Sequence, residues 1–395
     1  MQETEPKYFL SIHSKLTKMN HIKKVDILRG LALLAVFLFH SQESLFPNFE
    51  VLDYTKNHIF NISGFRSIVL NFWPIGFAWT AVYLFMIISG FLIHLGYLSS
   101  TKKFNTLTFY GRRIWRIYPA YLFALLFFYI AQNQNGSFFN TEGIKNLVAH
   151  IFMVHNLSGK YMYSINPVFW SLALEMQIYF IYPLLLILRK KTGMLNTLMI
   201  VLTLSVLLHL IGIYFNLEPK AVYRKSALMY LFVWCAGAFF AEKFYYKEKI
   251  FPKGSGAIII GGIVGTVVCK IFYFPHYFMG YFATLALLAF FEWFLTTDRF
   301  TQKSQIATAI STIGVCSYSI YLIHLPFLKG MLNFFSFHSF KCLSVIPVFL
   351  IVFVIAYPMY LYIEMPGIKL GKKLMEGKKG LSLERIKGIL VMIRK

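Results

Sequence analysis

The chain has 395 residues, of which 57% are hydrophobic and only 14% are charged, and its formal net charge is +23. This composition excludes an ordinary soluble domain, and the long uncharged runs predict membrane-spanning helices. A basic chain can also bind nucleic acid, but the cytoplasmic loops of membrane proteins collect Lys and Arg. We therefore attribute the charge to membrane topology, and we expect the lipid bilayer rather than nucleic acid as a partner.

Ten apolar segments are predicted to cross the membrane in one all-α bundle. Most Lys and Arg residues fall in alternate loops, which predicts that both termini are cytoplasmic. We expect a basic cytoplasmic segment at 1–24, a transmembrane domain at 25–366 and a basic cytoplasmic tail at 367–395. The external segment 136–165 is long enough for a lid or a short interfacial helix. The predicted spans are 27–46, 74–98, 117–135, 166–188, 194–215, 226–246, 255–272, 277–297, 312–334 and 344–366.

The first predicted span carries a cation and an imidazole in an otherwise apolar run. Arg29 and His40 are eleven residues apart, about three helical turns, so both lie on one face and are separated by about 16 Å. Ionisable groups in a membrane helix face the bundle interior or a wet cavity, and a neutral His is the usual general base near pH 7. The alternative is a structural His40, with Arg29 as a topology anchor.

A basic and aromatic stretch precedes the third span. Arg112, Arg113 and Arg116 fall within about two turns of a predicted helix, and guanidinium groups bind phosphate in a bidentate manner. Trp115 and Tyr118 are suited to stacking on a purine. This pattern favours a cytoplasmic site for a nucleotide-bearing donor, and the alternative is an anchor that sets topology.

The fourth span contains a single acid, Glu175, followed on the same face by Tyr179 and Tyr182. An unpaired carboxylate is costly inside a membrane, so Glu175 is predicted to bind a His or Arg of another helix. The sequence therefore predicts a polar site in the interior of the bundle.

The ninth span contains His324 just before Pro326, which frees a backbone carbonyl and kinks the helix. A structural His324 is an equal alternative, and we interpret Glu364 at the end of the tenth span as structural. The four cysteines lie outside any CxxC or metal-spaced motif, which predicts neither a metal site nor a disulfide framework.

Five motifs in this order resemble the acyltransferase-3 family of bacterial membrane O-acyltransferases. The resemblance covers about 25–366 and is greatest to the stand-alone branch, which lacks a hydrolase-like C-terminal domain. One departure is Tyr83, which stands where the family usually has Asp. The motifs are Asp26-xx-Arg29-Gly30-x-Ala32 through His40, Leu84-Phe85-Met86-Ile87-Ile88-Ser89-Gly90-Phe91-Leu92-Ile93, Arg112-Arg113-xx-Arg116-Ile117-x-Pro119, Trp170-Ser171-Leu172-xx-Glu175-x-Gln177-x-Tyr179 and Ser317-Tyr318-x-Ile320-Tyr321-Leu322-x-His324.

The resemblance implies transfer of an acyl group, most often acetyl, from acyl-CoA to a sugar hydroxyl. The implied acceptor is a cell-surface glycan such as O-antigen or exopolysaccharide, and the implied location is the bacterial inner membrane. His40 is expected to act as general base or as the first acyl acceptor. Glu175 is expected to orient His40, and Arg29 to hold donor phosphates or stabilise developing negative charge.

The remaining residues of the implied site fall into two groups. The donor, acetyl-CoA, is expected at Arg112, Arg113, Trp115 and Arg116, with no permanently bound cofactor and no metal. The residues expected to support the site are Ser171, Tyr179, Tyr318 and His324.

Two other functions fit the same residues. A proton-coupled secondary transporter also has Arg, His and Glu inside its spans, but paired similar halves are not visible in this sequence. A non-catalytic acyltransferase-like membrane protein is the second alternative, and the retained Arg29, His40 and Glu175 argue against it.

Overall fold

A computed structural model of the chain describes residues 7–45, 74–131, 140–217, 220–272, 274, 276–297, 304–332, 334 and 341–376. Every regular element in these ranges is helical, which confirms the predicted all-α class for them. The α-helices are α1 Lys7–Leu45, α2 Ala81–Leu98, α3 Thr106–Ala131, α4 Thr141–Ile151, α5 Phe169–Thr192, α6 Met194–Tyr214, α7 Ala221–Arg224, α8 Ala227–Tyr245, α9 Gly256–Ile271, α10 His276–Thr296, α11 Gln305–Val315, α12 Ser317–Leu332, α13 Val345–Met359 and α14 Met365–Glu376.

Shorter helical turns complete the described chain. Two 3₁₀ segments, Pro74–Thr80 and His155–Leu157, precede α2 and follow α4, and a third, Lys341–Ser344, precedes α13. A π-helical turn, Tyr360–Glu364, joins α13 to α14. The helix before this turn contains a proline, Pro358, which lacks a backbone donor and favours such irregularities.

Eight helical segments in the described ranges are long and apolar enough to cross a membrane, and α11 with α12 forms a ninth if this broken pair is one span. The predicted span 255–272 corresponds to α9, an apolar helix of 16 residues. The number of crossings and the cytoplasmic location of both termini stay predictions. Of the predicted tail 367–395, α14 covers the first ten residues, and 377–395 lie outside the described residues.

The chain divides into two units, the first made of residues 1–95 and 233–317. Its helix α1 continues without a break across the predicted boundary between the N-terminal segment and the first span. The Lys24 ammonium is buried and donates hydrogen bonds to the carbonyls of Leu295 (3.0 Å) and Thr297 (2.7 Å) at the end of α10. A cation at this position caps carbonyls that the helix leaves unpaired.

Helices α2 and α8 approach closely within this first unit because each has a glycine that faces the backbone of the other helix. The carbonyl oxygen of Trp234 occupies the space that a side chain on Gly90 would need, and the carbonyl oxygen of Ile87 does the same at Gly237. Buried His94 and partly buried Glu242 join the same two helices, with 3.2 Å between Nε2 and Oε1. Small residues allow such contact between apolar helices, which polar pairs then reinforce.

The second unit consists of residues 96–232 and 318–395. Its residues 141–168, between α3 and α5, enter the unit and return to the same end. The Tyr121 hydroxyl donates to the carbonyl of His150 (2.9 Å). Tyr121 lies ten residues, or about 15 Å, before the end of α3 at Ala131. Asn156 accepts a hydrogen bond from Gln177. Gln177 lies eight residues, or about 12 Å, after the start of α5 at Phe169. We name residues 141–168 the re-entrant segment.

The re-entrant segment is fixed at both its mouth and its tip. At the mouth, the Glu142 carboxylate accepts hydrogen bonds from Lys160 (2.6 Å) and Tyr161 (2.9 Å), which joins the entering limb to the returning limb. At the tip, His155 and Asn156 are fully buried. Non-helical backbone at such depth is tolerated only where protein or trapped water surrounds it, and the burial of the tip meets this condition.

Candidate functional site

Helix α1 places Arg29 and His40 in the first unit. They share one stripe of the helix with Leu33 and Val36, which are 0% and 3% exposed, so this stripe faces the protein interior. The Arg29 guanidinium lies 3.9 Å from the Asp26 carboxylate, one turn earlier. The His40 ring is partly buried and packs edge-on against Phe39.

Glu175 lies in the second unit, on α5. The hydroxyl of Tyr179, one turn further along, donates a hydrogen bond to Oε1 of Glu175. The guanidinium of Arg113 from α3 lies 6.0 Å from the centroid of the Tyr179 ring and 5.7 Å from that of Phe109. Its Nε atom is buried and has no hydrogen-bond partner in the part of the chain that the structure describes. Arg113 and Glu175 also interact electrostatically, so the predicted neighbour of Glu175 on another helix is an arginine of α3.

Helix α12 contributes the other side of this cluster. The Tyr318 hydroxyl donates to the carbonyl of Ile117 (2.9 Å), and Tyr318 lies within electrostatic range of Glu175 and Arg116. The hydroxyls of Tyr321 and Ser171 are 2.7 Å apart and buried. We name Arg113, Arg116, Ser171, Glu175, Tyr179, Tyr318 and Tyr321 the polar cluster, and it joins α3, α5 and α12 inside the second unit.

His324 lies near the cluster in sequence but bonds within its own helix. Its ring is fully buried, and Nδ1 lies 2.8 Å from the carbonyl oxygen of Tyr321. This bond fits the structural alternative for His324, and a functional role for it stays a prediction. Glu364 is also buried and accepts a hydrogen bond from Ser319 (2.6 Å), as expected of a structural carboxylate.

The basic stretch at the start of α3 presents its side chains differently. Arg112 is exposed, while Arg113, Trp115 and Arg116 are partly buried. The Trp115 side chain lies in the space that a side chain on Gly371 of α14 would need. The indole is therefore packed against α14, and the prediction that it stacks on a purine stays untested.

Tyr83, the departure from the family pattern, lies on α2 in the first unit. It is 7% exposed, and its hydroxyl lies above Gly280 of α10, in the space that a side chain there would need. Its ring also packs edge-on against Trp79. The phenol therefore fills a packing position between two helices.

Several polar contacts of the second unit were absent from the sequence-based site. Asn156 and Gln177 form a two-way amide pair, with 2.7 Å and 3.3 Å between donor and acceptor atoms. Asn166 donates to the carbonyl of Leu322 (2.8 Å). Asn166 begins the predicted fourth span and Gln177 stands inside its motif, so their amides in an apolar run were the available signal.

The two histidines of the re-entrant segment form a second polar feature that the sequence did not single out. His150 and His155 stack in parallel, and both are fully buried. Nδ1 of His150 lies 2.9 Å from the carbonyl oxygen of Asn146, while its Nε2 has no hydrogen-bond partner among the described residues. Burial lowers the pKa of His150 to about 4, and burial with the nearby His150 lowers the pKa of His155 to about 3.

The structure thus brings six of the predicted site residues together in the second unit and holds Arg29 and His40 on one stripe in the first. The six are Arg113, Arg116, Ser171, Glu175, Tyr179 and Tyr318. The predicted contact between His40 and Glu175 joins the two units and stays a prediction.

These features define an all-α membrane protein with ionisable side chains inside its helical bundle. Residues 22–363 match the acyltransferase-3 family, whose description is acyltransferase domain. The chain belongs to the acyltransferase-3 family, as its motifs predicted. A comparison with solved structures finds no match.

Curated relatives match most of the chain. O-acetyltransferase OatA of Staphylococcus aureus strain NCTC 8325 is 26% identical over 345 residues, which cover 78% of this chain and 56% of the relative. Peptidoglycan O-acetyltransferase OatA of Listeria monocytogenes strain EGD-e is 26% identical over 323 residues, which cover 70% of this chain and 50% of the relative. The chain therefore spans about half the length of these relatives.

Proposed function

We propose that this protein is a membrane O-acetyltransferase that moves an acetyl group from acetyl-CoA to a hydroxyl of a cell-surface glycan. The observation that carries the proposal is the family match over 22–363, because this region contains the polar cluster around Glu175 and the stripe of Arg29 and His40. The name of the Listeria relative favours peptidoglycan as the acceptor. O-antigen and exopolysaccharide are the acceptors that the sequence motifs favour.

The donor binds at the start of α3 in this proposal. Arg112, Arg113 and Arg116 provide guanidinium groups for the phosphates of coenzyme A. The stack of Arg113 on Tyr179 and Phe109 supports this role, because it fixes the direction of the guanidinium before the donor arrives. By the predicted topology these arginines face the cytoplasm, where acyl-CoA is found.

The reaction joins the acceptor oxygen to the acetyl carbonyl carbon and breaks the thioester C–S bond. His40 removes the proton of the acceptor hydroxyl, and this proton ends on the thiol of coenzyme A. In the two-step route, His40 first takes the acetyl group itself and then passes it to the hydroxyl. Glu175 orients His40, and Arg29, about 16 Å from His40 along α1, holds the donor phosphates.

The proposed membrane location of the protein, and the sides from which donor and acceptor enter, rest on the same features. The protein is a multi-pass protein of the bacterial cytoplasmic membrane, with the donor site at the inner face and the acceptor entering from the outer face. The polar cluster joins the donor arginines Arg113 and Arg116 to Glu175 and Tyr318 across α3, α5 and α12, which supports a reaction inside the bundle.

The test is mass spectrometry of surface glycans from cells that express wild type, His40→Ala or Glu175→Gln. We expect the acetyl esters to be lost in both variants while the membrane content of the protein is unchanged. His209→Ala on α6 is the matched control, because it removes an imidazole from a span outside all five motifs. Wild-type ester content in a normally inserted His40→Ala variant would exclude His40 from the reaction.

A further inference from the structure

A lysine lies between two aromatic rings in the second unit, close to the mouth of the re-entrant segment. The Nζ atom of Lys225 is 4.3 Å from the centroid of a ring of Trp170 and 4.7 Å from that of Tyr163. Trp170 in turn packs against Tyr230, with 5.9 Å between ring centroids. Aromatic faces attract an ammonium group, so these rings hold the charge of Lys225 in one place.

The backbone of Lys225 is anchored at the tip of the re-entrant segment. Its carbonyl accepts a hydrogen bond from Nδ2 of Asn156 (3.2 Å), the residue that pairs with Gln177 two turns into α5. Trp170, by contrast, lies in the first turn of α5. The side chain of Lys225 therefore extends from the depth of Gln177 towards the end of the helix, as long cationic side chains do near a membrane surface.

A second cation, Arg224, lies near the Tyr163 ring. Burial raises the pKa of Tyr163, and the nearby charge of Arg224 opposes this shift, so the guanidinium lies within electrostatic range of the phenol. Tyr163 is 41% exposed, and Arg224 and Lys225 are partly exposed. A molecule that enters at this end of α5 therefore meets two cations and one accessible aromatic ring.

The local sequence strengthens the positive charge at this end of the unit. Residues 141–165 and 217–225 contain Lys145, Lys160, Lys220, Arg224 and Lys225 against two acids, Glu142 and Glu218. Glu142 is already held by Lys160 and Tyr161 at the mouth of the segment. By the predicted topology this is the external face, where cations are not favoured by the rule that places them in the cytoplasm.

We propose that Tyr163, Arg224 and Lys225 form a binding subsite for the acceptor, and that this acceptor is a glycan with a carboxylate or phosphate group. Lys225 and Arg224 pair with the anionic group, and the exposed side of Tyr163 packs against the sugar ring. Trp170 is a positioning residue that holds the ammonium of Lys225. The inference rests on the proposed function, because it names the class of acceptor that the transferase uses.

The subsite is tested by binding rather than by transfer, so that its failure is separate from failure of the acetyltransferase proposal. The full chain is placed in phosphatidylcholine nanodiscs and titrated with a fluorescent oligogalacturonate. The matched neutral probe is the same oligosaccharide after reduction of its carboxyl groups. We expect the acidic probe to bind about tenfold more tightly than the neutral one, as one partly buried charged contact implies.

Substitutions then test whether the preference for the acidic probe depends on the subsite. Lys225→Gln and Arg224→Gln are each expected to weaken binding of the acidic probe about tenfold and to leave the neutral probe unchanged, whereas Lys225→Arg retains the preference. Lys220→Gln is the control, because it removes an exposed cation a few residues away. Equal affinity for both probes would overturn the proposal, as would a loss in Lys220→Gln equal to that in Lys225→Gln.

A lipid headgroup is the other source of an anionic group at this depth. The titration is therefore repeated in nanodiscs that contain phosphatidylglycerol. Unchanged affinity for the acidic probe supports a glycan subsite. If instead phosphatidylglycerol abolishes binding in wild type, and Lys225→Gln releases bound phosphatidylglycerol, the subsite belongs to lipid and the proposal is wrong.

Discussion

The imidazole rings of His150 and His155 stack face to face, with 3.9 Å between their centroids and 5° between their planes. Their pKa values, about 4 and about 3, lie below the ordinary value of 6.5 because burial disfavours the charged form. The folded tip therefore requires both rings to be neutral. Its stability is complete above pH 6.5 and decreases as the pH falls towards 4, because the opened segment binds protons that the closed one excludes.

The first prediction concerns this acid sensitivity. Between pH 6.5 and 4 the free energy of opening is expected to fall by up to about 2.7 kcal/mol per pH unit for the two rings together. His155→Phe keeps an aromatic stack and removes one titrating group, so the slope is expected to fall by about half. Proteolysis or hydrogen exchange of the re-entrant segment in detergent, measured across this pH range, provides the slope.

The other groups in and around the segment are expected to keep their charge between pH 6.5 and 4, so they do not contribute to the measured slope. Hydrogen bonds from Lys160 and then Tyr161 lower the pKa of Glu142 to about 2, so this carboxylate stays ionised throughout the range. The groups that face the tip from α3 and α5 are Tyr118, Tyr121 and Gln177, none of which titrates there. An unchanged slope in His155→Phe would show that acid acts elsewhere.

The second prediction concerns the amide pair of Asn156 and Gln177. Gln177→Leu leaves the buried Asn156 amide without this partner, which is expected to destabilise the closed tip by about 1–3 kcal/mol. Hydrogen exchange of residues 150–157 should then become faster. Ser164→Ala, which removes an exposed hydrogen bond to Asn146, is the control and should have little effect. Equal exchange in Gln177→Leu and wild type would contradict the role of the pair.

The third prediction concerns the close crossing of α2 and α8. Gly90→Ala places a methyl group where the Trp234 carbonyl lies, and the helices must separate at a cost of about 3 kcal/mol. Gly96→Ala makes the same change on the same helix, where nothing lies within 4 Å, and is expected to be neutral or stabilising by about 0.5–1 kcal/mol. Thermal unfolding of the purified variants in detergent compares the two, and equal midpoints would be the contrary result.

The fourth prediction concerns the donor site. Arg116→Gln is expected to raise the KM for acetyl-CoA about tenfold with little change in kcat, because a phosphate contact acts on ground state and transition state alike. Arg189→Gln is the matched control, since this arginine stacks on Tyr97 and lies outside the five motifs. Acyl transfer by proteoliposomes at varied acetyl-CoA concentration measures both constants. A KM unchanged in Arg116→Gln would return the basic stretch to its role as a topology anchor.

The helices themselves could be predicted from the sequence because apolar runs and charged flanks define them locally. The predicted span 166–188 corresponds to Phe169–Thr192, and 277–297 to His276–Thr296. The polar cluster was also predicted in part, since Glu175 and Tyr179 are one turn apart on one helix. Its contact with Arg113 needed the packing of α3 on α5, which no local pattern specifies.

The re-entrant segment shows what local patterns leave out. The sequence indicated only that residues 136–165 are long enough for a lid or a short interfacial helix. The depth of the segment depends on hydrogen bonds from Tyr121 and Gln177, which are distant in sequence. The stacked pair of His150 and His155 arises from the turn at the tip, where Met153 has a positive φ of 52°. A positive φ is rare for a residue with a side chain. Because position 153 is a methionine and not a glycine, the sequence carries no signal for this turn.

A segment that enters a helical bundle and leaves it at the same end changes how topology experiments must be interpreted. Reporter fusions on either limb of residues 141–168 would give the same side, although a thiol reagent applied from that side would fail to reach a cysteine at position 155. A map based on labelling of this position alone would place it in the wrong compartment, although exposed residues of the returning limb such as Lys160 would still report the original side.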